Sequence, residues 1–400
     1  MKSFLCISSY FKGEAFLKAC KEAGNRVYLI TSEKLRNEKW PHDHIDEVFY
    51  MREDGSGQWN MDHLINAVAY KMREMHFDRF VALDDFDVEK VAALREQFRI
   101  PGMGNTTSRY FRDKLAMRVK AKLEGIPVPE FTPLFNDAEI RAYAERVSPP
   151  WMIKPRSEAS AAGIKKIYKP SELWVKREEL GDERHRFLLE KFSPGQVYHT
   201  DALTYKSEVV FSRVSEYIDT PFDVAHGGGI FRSHTLPSGN PAAKALTALN
   251  KKVLKAFGME YSASHTEFIR SDETGEYLFL ETSSRVGGAN LAEMVEYASG
   301  VNLWAEWARL ETAMVNDEPY TVPKDKGHQA GIVVSLSRFE HPDTTEFNDP
   351  ELVWRMEKPW HIGLIVQSKK RERVLALLSK YTERIKEGYH ASAPAPDTAI

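Results

Sequence analysis

The stretch SHTEFIRSDETGEYLFLETSSR, residues 264–285, has the most informative pattern in this chain for predicting its fold. Two strand-like runs flank the turn-forming segment Asp272–Gly275, and this arrangement predicts a β-hairpin. If the hairpin is centred on Thr274, Glu267 and Glu281 are equally far from the centre and stand directly opposite each other on one face. The spacing therefore predicts a pair of facing carboxylates.

The same register places His265 opposite Ser283. Like charges directly across a ladder repel, so Glu267 and Glu281 need a cation between them or a raised pKa on one carboxyl group. Mg²⁺ suits this position because it takes hard oxygen ligands and shares its coordination shell with substrate phosphates. The alternative is a solvated hairpin face with two unrelated glutamates, and the spacing alone leaves both interpretations open.

A second candidate feature is a lysine beside a loop of small residues. Lys154 closes an apolar strand, and the loop Ser157–Gly163, which contains Ser160 and ends at Gly163, follows closely. Small side chains let backbone N–H groups approach phosphate oxygens, and the lysine adds a positive charge. The stretch is not a P-loop of the G-x-x-x-x-G-K-[ST] kind. A flexible surface turn is the alternative interpretation.

Composition limits the possible functions. The formal net charge is −3, and the 55 basic residues are spread along the chain, so neither nucleic acid nor a membrane surface is expected as a partner. A small-molecule substrate fits better. The opening residues Met1–Tyr10 lack the long apolar stretch of a secretory signal, and the two cysteines suit buried thiols in a reducing compartment. We expect a cytoplasmic protein.

The order of predicted elements indicates several structural units. Strands and helices alternate from residue 1 to about residue 105, which predicts a parallel α/β domain. Residues 109–123 form a predicted basic helix, and short strands and turns after Pro149-Pro150 predict a small α+β unit. Leu291–Met314 is predicted to be one amphipathic helix. Together, these elements predict an α/β protein.

Two histidine motifs are each open to an interpretation other than a catalytic or zinc-binding role. His226-Gly227-Gly228-Gly229 is similar to an oxyanion-hole loop, but no G-x-S-x-G supplies a nucleophile, so we expect a flexible loop near the substrate. His265 and Glu267 share a strand face as a zinc pair would. Without a third histidine or cysteine, a role beside the metal or the substrate is the better interpretation.

With these pieces in order, the chain resembles the ATP-grasp superfamily, in particular its carboxylate–amine ligases of the amino-acid ligase and biotin-carboxylase-like branches. The resemblance covers nearly the whole chain. Six stretches carry it: Ile100-Pro101-Gly102; Arg112-Asp113-Lys114 with Gly125-Ile126-Pro127-Val128-Pro129; Ile153-Lys154-Pro155; Glu190-Lys191-Phe192; His265-Thr266-Glu267-Phe268; and Leu280-Glu281 with Arg285, Gly287 and Gly288. Each is unremarkable alone, but their common order makes chance similarity improbable.

The resemblance implies a role for each matching residue. Lys114 and Lys154 would contact the phosphates of ATP, together with Ser160 and Gly163 of the small-residue loop. Glu190 and the backbone of Lys191 and Phe192 would hold adenine. Glu267 and Glu281 would bind Mg²⁺, for which Mn²⁺ could substitute. Arg285 would stabilise the acyl phosphate, because a permanently charged guanidinium suits the anion that develops there.

This chain departs from the family pattern at two positions. Where the family often has asparagine two residues after the second metal glutamate, this chain has Ser283, which could bind the metal directly or through water. Where many relatives have a ribose-binding glutamate after the hinge glycine, this chain has Gly195-Gln196-Val197. The ribose contact is left open between Gln196 and Asp201.

The resemblance implies an ATP-grasp fold with four segments. They are an N-terminal parallel-sheet domain (1–108), linker helices with a small α+β lid (109–195), a larger C-terminal α+β domain carrying metal and substrate (196–388) and a disordered tail (389–400). The expected activity is an ADP-forming ligation of a small carboxylate to an amine acceptor through an acyl phosphate. An ATP-binding sensor without turnover is the rival, and a homodimer is left open.

Overall fold

The computed structural model describes residues 1–55, 57–159 and 161–393. The N-terminal unit contains β1 Ser3–Ser8, α1 Glu14–Glu22, β2 Arg26–Ser32, β3 Glu47–Met51, α2 Met61–Lys71, β4 Arg79–Ala82 and α3 Val88–Phe98. Its strands pair in the order β3-β2-β1-β4, and every pairing is parallel. The predicted parallel α/β unit is confirmed. Strands β1, β2 and β4 are buried over nearly their whole length because helices cover the sheet, whereas the edge strand β3 is half-buried.

The middle of the chain forms a small sheet with helices. It contains α4 Asn105–Arg109, α5 Lys114–Leu123, β5 Phe131–Pro133, α6 Asp137–Arg146, β6 Trp151–Pro155, β7 Lys165–Ile167, α7 Pro170–Leu180 and β8 Phe187–Lys191. The strands pair antiparallel in the order β5-β8-β6-β7. Trp151 is fully buried in the core between this sheet and its helices.

The prediction of one helix over residues 109–123 is wrong, because the chain turns between α4 and α5. Asp113 ends the turn and begins the new helix: its Oδ1 accepts hydrogen bonds from the backbone N–H groups of Leu115 and Ala116. An aspartate in this position satisfies N–H groups that have no partner within the helix. The break places Lys114 at the first position of α5.

The C-terminal unit is built on a large antiparallel sheet. Its elements are β9 Gly195–Tyr205, β10 Glu208–Tyr217, α8 Pro221–Gly227, β11 Phe231–Thr235, α9 Pro241–Ala256, β12 Ser262–Ser271, β13 Tyr277–Ser283, α10 Leu291–Ser299, α11 Leu303–Val315, β14 Gln329–Ser337, β15 Leu352–Arg355, β16 His361–Ser368, α12 Arg371–Gly388 and β17 His390–Ala391. The strand order is β13-β12-β9-β10-β11-β14-β16-β15, with β17 also paired to β14. Among the described residues, no helix is long and apolar enough to cross a bilayer.

The single helix predicted over Leu291–Met314 is two helices. Gly300 adopts φ +78° and ends α10, a conformation that glycine takes without a steric penalty. Asn302 then begins α11 by accepting a hydrogen bond from the backbone N–H of Ala305 at 2.9 Å. The apolar periodicity continues across the break, which is why the sequence pattern suggested one helix.

The tail predicted to be disordered from residue 389 is ordered at its start. His390 and Ala391 pair with Ser337 and Leu336 of β14. The ring of Tyr389 lies 5.8 Å from that of Phe347. Pairing and aromatic burial offset the entropy lost on ordering these residues. Residues 394–400 lie outside the described part of the chain, and the domain boundaries at 108, 195 and 388 stay predictions.

Candidate active site

A cavity of about 620 Å³ is lined by side chains from all three units. The N-terminal unit contributes Asp85, the small sheet contributes Lys154 and Glu190, and the edge of the large sheet contributes Glu267 and Glu281. Lys114, Lys191, Phe192, Ser283 and Arg285 also line it. Most of the residues singled out from the sequence are therefore brought together around one space.

Glu267 and Glu281 are direct partners across β12 and β13, as the spacing predicted. His265 likewise faces Ser283. The register near the turn differs from the symmetric hairpin, because Phe268 pairs with Phe279 and a bulge adds Leu280 to β13. The extra residue restores the predicted pairing at the glutamates, and bulges of this kind commonly redirect side chains beside functional sites.

The repulsion between the two glutamates is relieved by the chain itself. Lys114 Nζ lies 2.7 Å from Glu281 Oε2 and also donates to the carbonyl of Glu158 at 2.7 Å. The hydroxyl of Tyr217 donates to Glu267 Oε1 at 2.8 Å. The expectation that a metal cation or a raised pKa must relieve this pair is therefore only part of the account, because a lysine 167 positions before Glu281 already supplies a positive charge.

Beneath Glu267 lies a buried chain of hydrogen bonds. Asp201 is fully buried and accepts from His199 Nδ1 at 2.7 Å and from His265 Nδ1 at 2.8 Å. His199 Nε2 lies 2.8 Å from Ser233 Oγ, and His265 Nε2 lies 3.7 Å from Glu267 Oε1. Burial opposes a charged imidazole, but Asp201 and Glu267 raise the pKa of His265 to about 10. The network holds a positive charge against the Glu267 carboxylate.

A second histidine that the sequence did not reveal is His199, which lies two residues before Asp201 on β9. The ligand atoms of His199, Asp201 and His265 lie within 4.8 Å of one another. Both imidazole Nδ1 atoms already bond to the Asp201 carboxylate at hydrogen-bond distances, so the group is complete as a hydrogen-bonded network.

Glu190 is 1% exposed and binds two cations at the other end of the cavity. It accepts from Arg118 Nε at 2.7 Å and from Lys154 Nζ at 2.5 Å. Burial alone would raise the pKa of Glu190, but Arg118 and Lys154 hold that pKa below its ordinary value. Arg118, which the sequence analysis did not single out, is thus the residue that compensates this buried carboxylate.

The segment after Glu190 lines the cavity, but its N–H groups are already bonded. The N–H of Lys191 donates to the carbonyl of Glu130 at 2.7 Å, and that of Phe192 donates to the carbonyl of Pro150 at 3.0 Å. A base in this part of the cavity would have to use the carbonyls of Lys191 and Phe192 or the residues that follow. The assignment of adenine to Glu190 and to the backbone of Lys191 and Phe192 stays a prediction.

Neither candidate for the ribose contact lines the cavity. Gln196 donates from Nε2 to the carbonyl of Tyr217 at 2.5 Å, and Asp201 is occupied by two histidines. These contacts could not be predicted from the sequence, because the sequence does not show which strands are neighbours in the sheet. Gly163 lines an adjacent cleft with Arg156 and Lys165. Ser160 lies outside the described residues.

Arg285 is bound by a carboxylate from the N-terminal unit. Its Nε donates to Asp85 Oδ2 at 2.8 Å, its Nη2 contacts the same oxygen, and its Nη1 donates to the carbonyl of Val286 at 2.8 Å. Burial opposes ionisation of Asp85, but Arg285 and Arg112 lower the pKa of Asp85 to about 2. Three aspartates, Asp84, Asp85 and Asp87, lie shortly after β4, and carboxylates that follow a buried parallel strand are a signal that this end of the strand borders a site, although they do not reveal the partner.

The first half of the loop predicted at His226–Gly229 belongs to the helix α8, which ends at Gly227, and residues 220–225 line the cavity. His226 Nε2 lies 3.2 Å from the carbonyl of Ile164, which follows the small-residue loop. The predicted position near the cavity is correct, whereas the prediction of a loop is wrong for His226 and Gly227 and holds for Gly228 and Gly229. Pro221 at the first turn and the Thr220 side chain, which accepts from the N–H of Asp223, explain the helix.

Comparison with known proteins relates the chain to ligases. No protein-family model matches it. It is 28% identical over 257 residues, 63% of its length, to an L-arginine-specific L-amino acid ligase from Bacillus subtilis, and this stretch spans only 61% of that protein. The chain also matches the crystal structure of an L-amino acid ligase from Bacillus licheniformis with TM-score 0.73 and 16% identity, covering 98% of both chains.

A second solved structure extends the likeness to a carboxylase. The biotin carboxylase domain of the 2-oxoglutarate carboxylase from Hydrogenobacter thermophilus, solved with MgADP and bicarbonate, matches with TM-score 0.70 and 17% identity, covering 98% of this chain and 90% of that one. The parallel N-terminal sheet, the small antiparallel sheet and the large sheet follow one another as the sequence predicted. The chain therefore has the ATP-grasp fold of these solved structures, and over 63% of its length its sequence is similar to that of an amino-acid ligase.

Proposed function

We propose that the protein is an ATP-dependent ligase that joins a small carboxylate to an amine and releases ADP and phosphate. One observation carries the proposal: Glu267 and Glu281 face each other on the wall of a cavity that Lys114, Lys154 and Arg285 also line. Two carboxylates beside three fixed cations suit Mg-ATP, whose phosphates and metal need both signs of charge. The amino-acid ligase relative and the MgADP-bound carboxylase structure support this interpretation.

The residues fit a magnesium ion. Glu267 and Glu281 would hold it, and the Ser283 hydroxyl on the same wall would add an oxygen, either directly or through water. These are the hard oxygen donors that Mg²⁺ or Mn²⁺ prefers. When bound, the ion would neutralise charge on the transferring phosphate. The Lys114 ammonium, now 2.7 Å from Glu281, would then be free to turn to a phosphate oxygen.

The chain's own residues would position the γ-phosphate for transfer. Lys154, held by Glu190, would keep its charge at a fixed point beside the phosphates. A substrate carboxylate oxygen would attack the γ-phosphorus, and the bond to the bridging oxygen of ADP would break. Arg285, fixed by Asp85, would stabilise the charge on the acyl phosphate.

The second half-reaction would use the acyl phosphate that the first half forms. The nitrogen of a neutral amine would attack the acyl carbon, the bond from that carbon to the phosphate oxygen would break, and the amine would lose its proton. Acyl phosphates hydrolyse in water, so a loop closing over Lys154 would have a chemical purpose. We place the reaction in the cytoplasm, since Cys6 and Cys20 are buried free thiols.

A coupled assay of ADP release tests the proposal. The purified chain is given Mg-ATP and a panel of amino acids and other small carboxylates, with and without amine acceptors. The expected products are ADP and phosphate, released only with an active acid. Lys154→Met is expected to abolish release, whereas Lys244→Met, on the exposed face of α9, should leave it intact.

Two outcomes would count against this function. AMP and pyrophosphate as the main products would show a different phosphorus being attacked. Binding of Mg-ATP without ADP release from any acid would favour the rival, an ATP-binding sensor or partner protein that performs no ligation. Calorimetric titration of Mg-ATP on the same preparation separates this rival from a protein that has lost its fold.

A further inference from the structure

The cavity has a charged end and an apolar end. Its basic and acidic side chains come from the N-terminal unit, α5, the small sheet with its loops, and β12, β13 and the loop after them. On the opposite side, β10, β11, β14 and the segment 220–225 contribute lining residues of which only Asp223 carries a carboxyl or basic group. The apolar end, as we define it, consists of Tyr217, Phe222, Phe231, Leu291 and Val334.

Contacts connect this apolar end to the proposed metal site. The hydroxyl of Tyr217 is 2.8 Å from Glu267 Oε1, and its ring lies 5.6 Å from that of Phe231 at 66°. Phe231 in turn faces Val334 across β11 and β14. A substrate whose carboxylate reaches the γ-phosphate beside Glu267 would therefore project its remaining atoms toward Tyr217 and Phe231.

Strand spacing sets the size of the group that fits. Neighbouring strands lie about 4.8 Å apart, so β10 is roughly 10 Å and β11 roughly 14 Å from β12 along the sheet. A methyl group attached beside the carboxylate cannot span this distance. An aromatic or branched side chain extends further, and the side chains of Tyr217 and Phe231, which line the cavity, shorten the gap that it has to bridge.

We propose that the apolar end binds the side chain of the carboxylate substrate, and that this side chain is aromatic or branched aliphatic. This inference rests on the proposed ligase function, whose substrate class it names. Phe222, Phe231 and Val334 are only half-buried, so a ligand can cover the surface they still expose. Covering apolar surface is favourable, whereas a charged side chain placed there would lose hydration.

A cationic side chain is the sharpest alternative, and Asp223 would be its partner. That residue is exposed, lies in the first turn of α8, and its Oδ2 accepts from the Thr220 hydroxyl at 2.7 Å. A hydrated carboxylate at the cavity surface gains little from pairing with a guanidinium, because water already solvates both charges. The apolar wall therefore dominates selection.

The test compares acids that differ only beyond the reacting carboxylate. Alanine, leucine, phenylalanine, glutamate and arginine are each supplied with Mg-ATP and hydroxylamine, a small nucleophile that converts any acyl phosphate to a hydroxamate. ADP and hydroxamate are both measured, so the activated acid is identified. Leucine and phenylalanine are expected to show kcat/KM values about tenfold or more above glutamate and arginine.

A variant of the apolar end makes the test specific. Val334→Phe narrows the apolar end with an uncharged side chain, so the KM for phenylalanine should rise about tenfold or more relative to the KM for alanine. The control is Leu336→Phe, a similar enlargement on the same strand at a position that is 38% exposed and does not line the cavity. This control variant should change the KM for neither phenylalanine nor alanine.

The outcomes separate this inference from the proposed function. Highest turnover with arginine or glutamate, or equal turnover with every acid, would overturn the apolar specificity and leave the ligase activity standing. An equal effect of Val334→Phe on alanine and phenylalanine would also overturn it. If no acid releases ADP, calorimetry with a non-hydrolysable ATP analogue decides: phenylalanine binding that Val334→Phe weakens upholds the inference while the ligase proposal falls, and its absence overturns both.

Discussion

Asp85 and Arg285 are 200 positions apart and form a buried ion pair that joins the N-terminal unit to the large sheet. Both N–H donors of this contact reach one oxygen, Oδ2. Arg285 is the residue proposed to stabilise the acyl phosphate, so its position depends on a side chain from another unit. Substitution of Asp85 can therefore show whether the pair affects catalysis separately from its effect on stability.

Replacing Asp85 by asparagine should lower kcat by about 100-fold, because Arg285 loses the carboxylate that fixes it and small displacements of a catalytic group are costly. Steady-state ADP release, measured well below the melting temperature, checks this. The matched control is Asp84→Asn: Asp84 is also buried, but it binds Lys12. Both variants should melt earlier, and an unchanged kcat in Asp85→Asn would show that Asp85 does not position Arg285.

Glu281→Gln should reduce Mg-dependent ADP release by two orders of magnitude or more, since the loss of electrostatic stabilisation at such a site is commonly about 3 kcal/mol. Stability without metal should change by less than about 1 kcal/mol, because the ion pair with Lys114 and the repulsion from Glu267 are removed together. Melting and activity are measured on one preparation. A variant that melts much earlier yet keeps its activity would make Glu281 a structural residue.

Mg-ATP should increase the protection of backbone amides in residues 157–168 against hydrogen exchange. The carbonyls of Glu158 and Ile164 contact Lys114 and His226, so the segment already has contacts on which closure can build. Exchange with and without nucleotide measures the change, and the helix α12 serves as an internal control. Equal protection in both states would contradict the assignment of this segment as a lid.

Acidification should destabilise the protein partly through His234, which is 2% exposed. Burial lowers the pKa of His234 to about 4 from its ordinary 6.5, and the nearby Arg371 adds to the effect. The unfolded chain therefore takes up a proton first, so stability is lost as the pH falls from 6.5 toward 4 and is fully present above 6.5. At pH 5 this loss is about 2 kcal/mol.

The variant His234→Gln should lose less stability between pH 7 and pH 5 than the natural chain does. Denaturant unfolding at both pH values gives the difference directly. His76→Gln is the control, since the His76 side chain is 81% exposed. An identical pH dependence in His234→Gln and the natural chain would show that His234 is not the group responsible.

Local patterns determined much of the fold. The alternation that predicted the strands around Glu267 and Glu281 depends on near neighbours in the chain, and the structure retains their pairing even though a bulge at Leu280 produces it. The parallel N-terminal sheet followed from strands alternating with helices. Turn residues and periodicity act over a few residues, so they can be read from the sequence.

The tertiary structure alone decided which distant groups meet. Asp201 was expected at the ribose, but β9 lies between β10 and β12, and so His265 of β12 joins His199 in binding it. Arg118 and Asp85 were not recognised because their partners, Glu190 and Arg285, are brought close only when helices and sheets pack. Such contacts depend on strand order and on the docking of units, which no local pattern encodes.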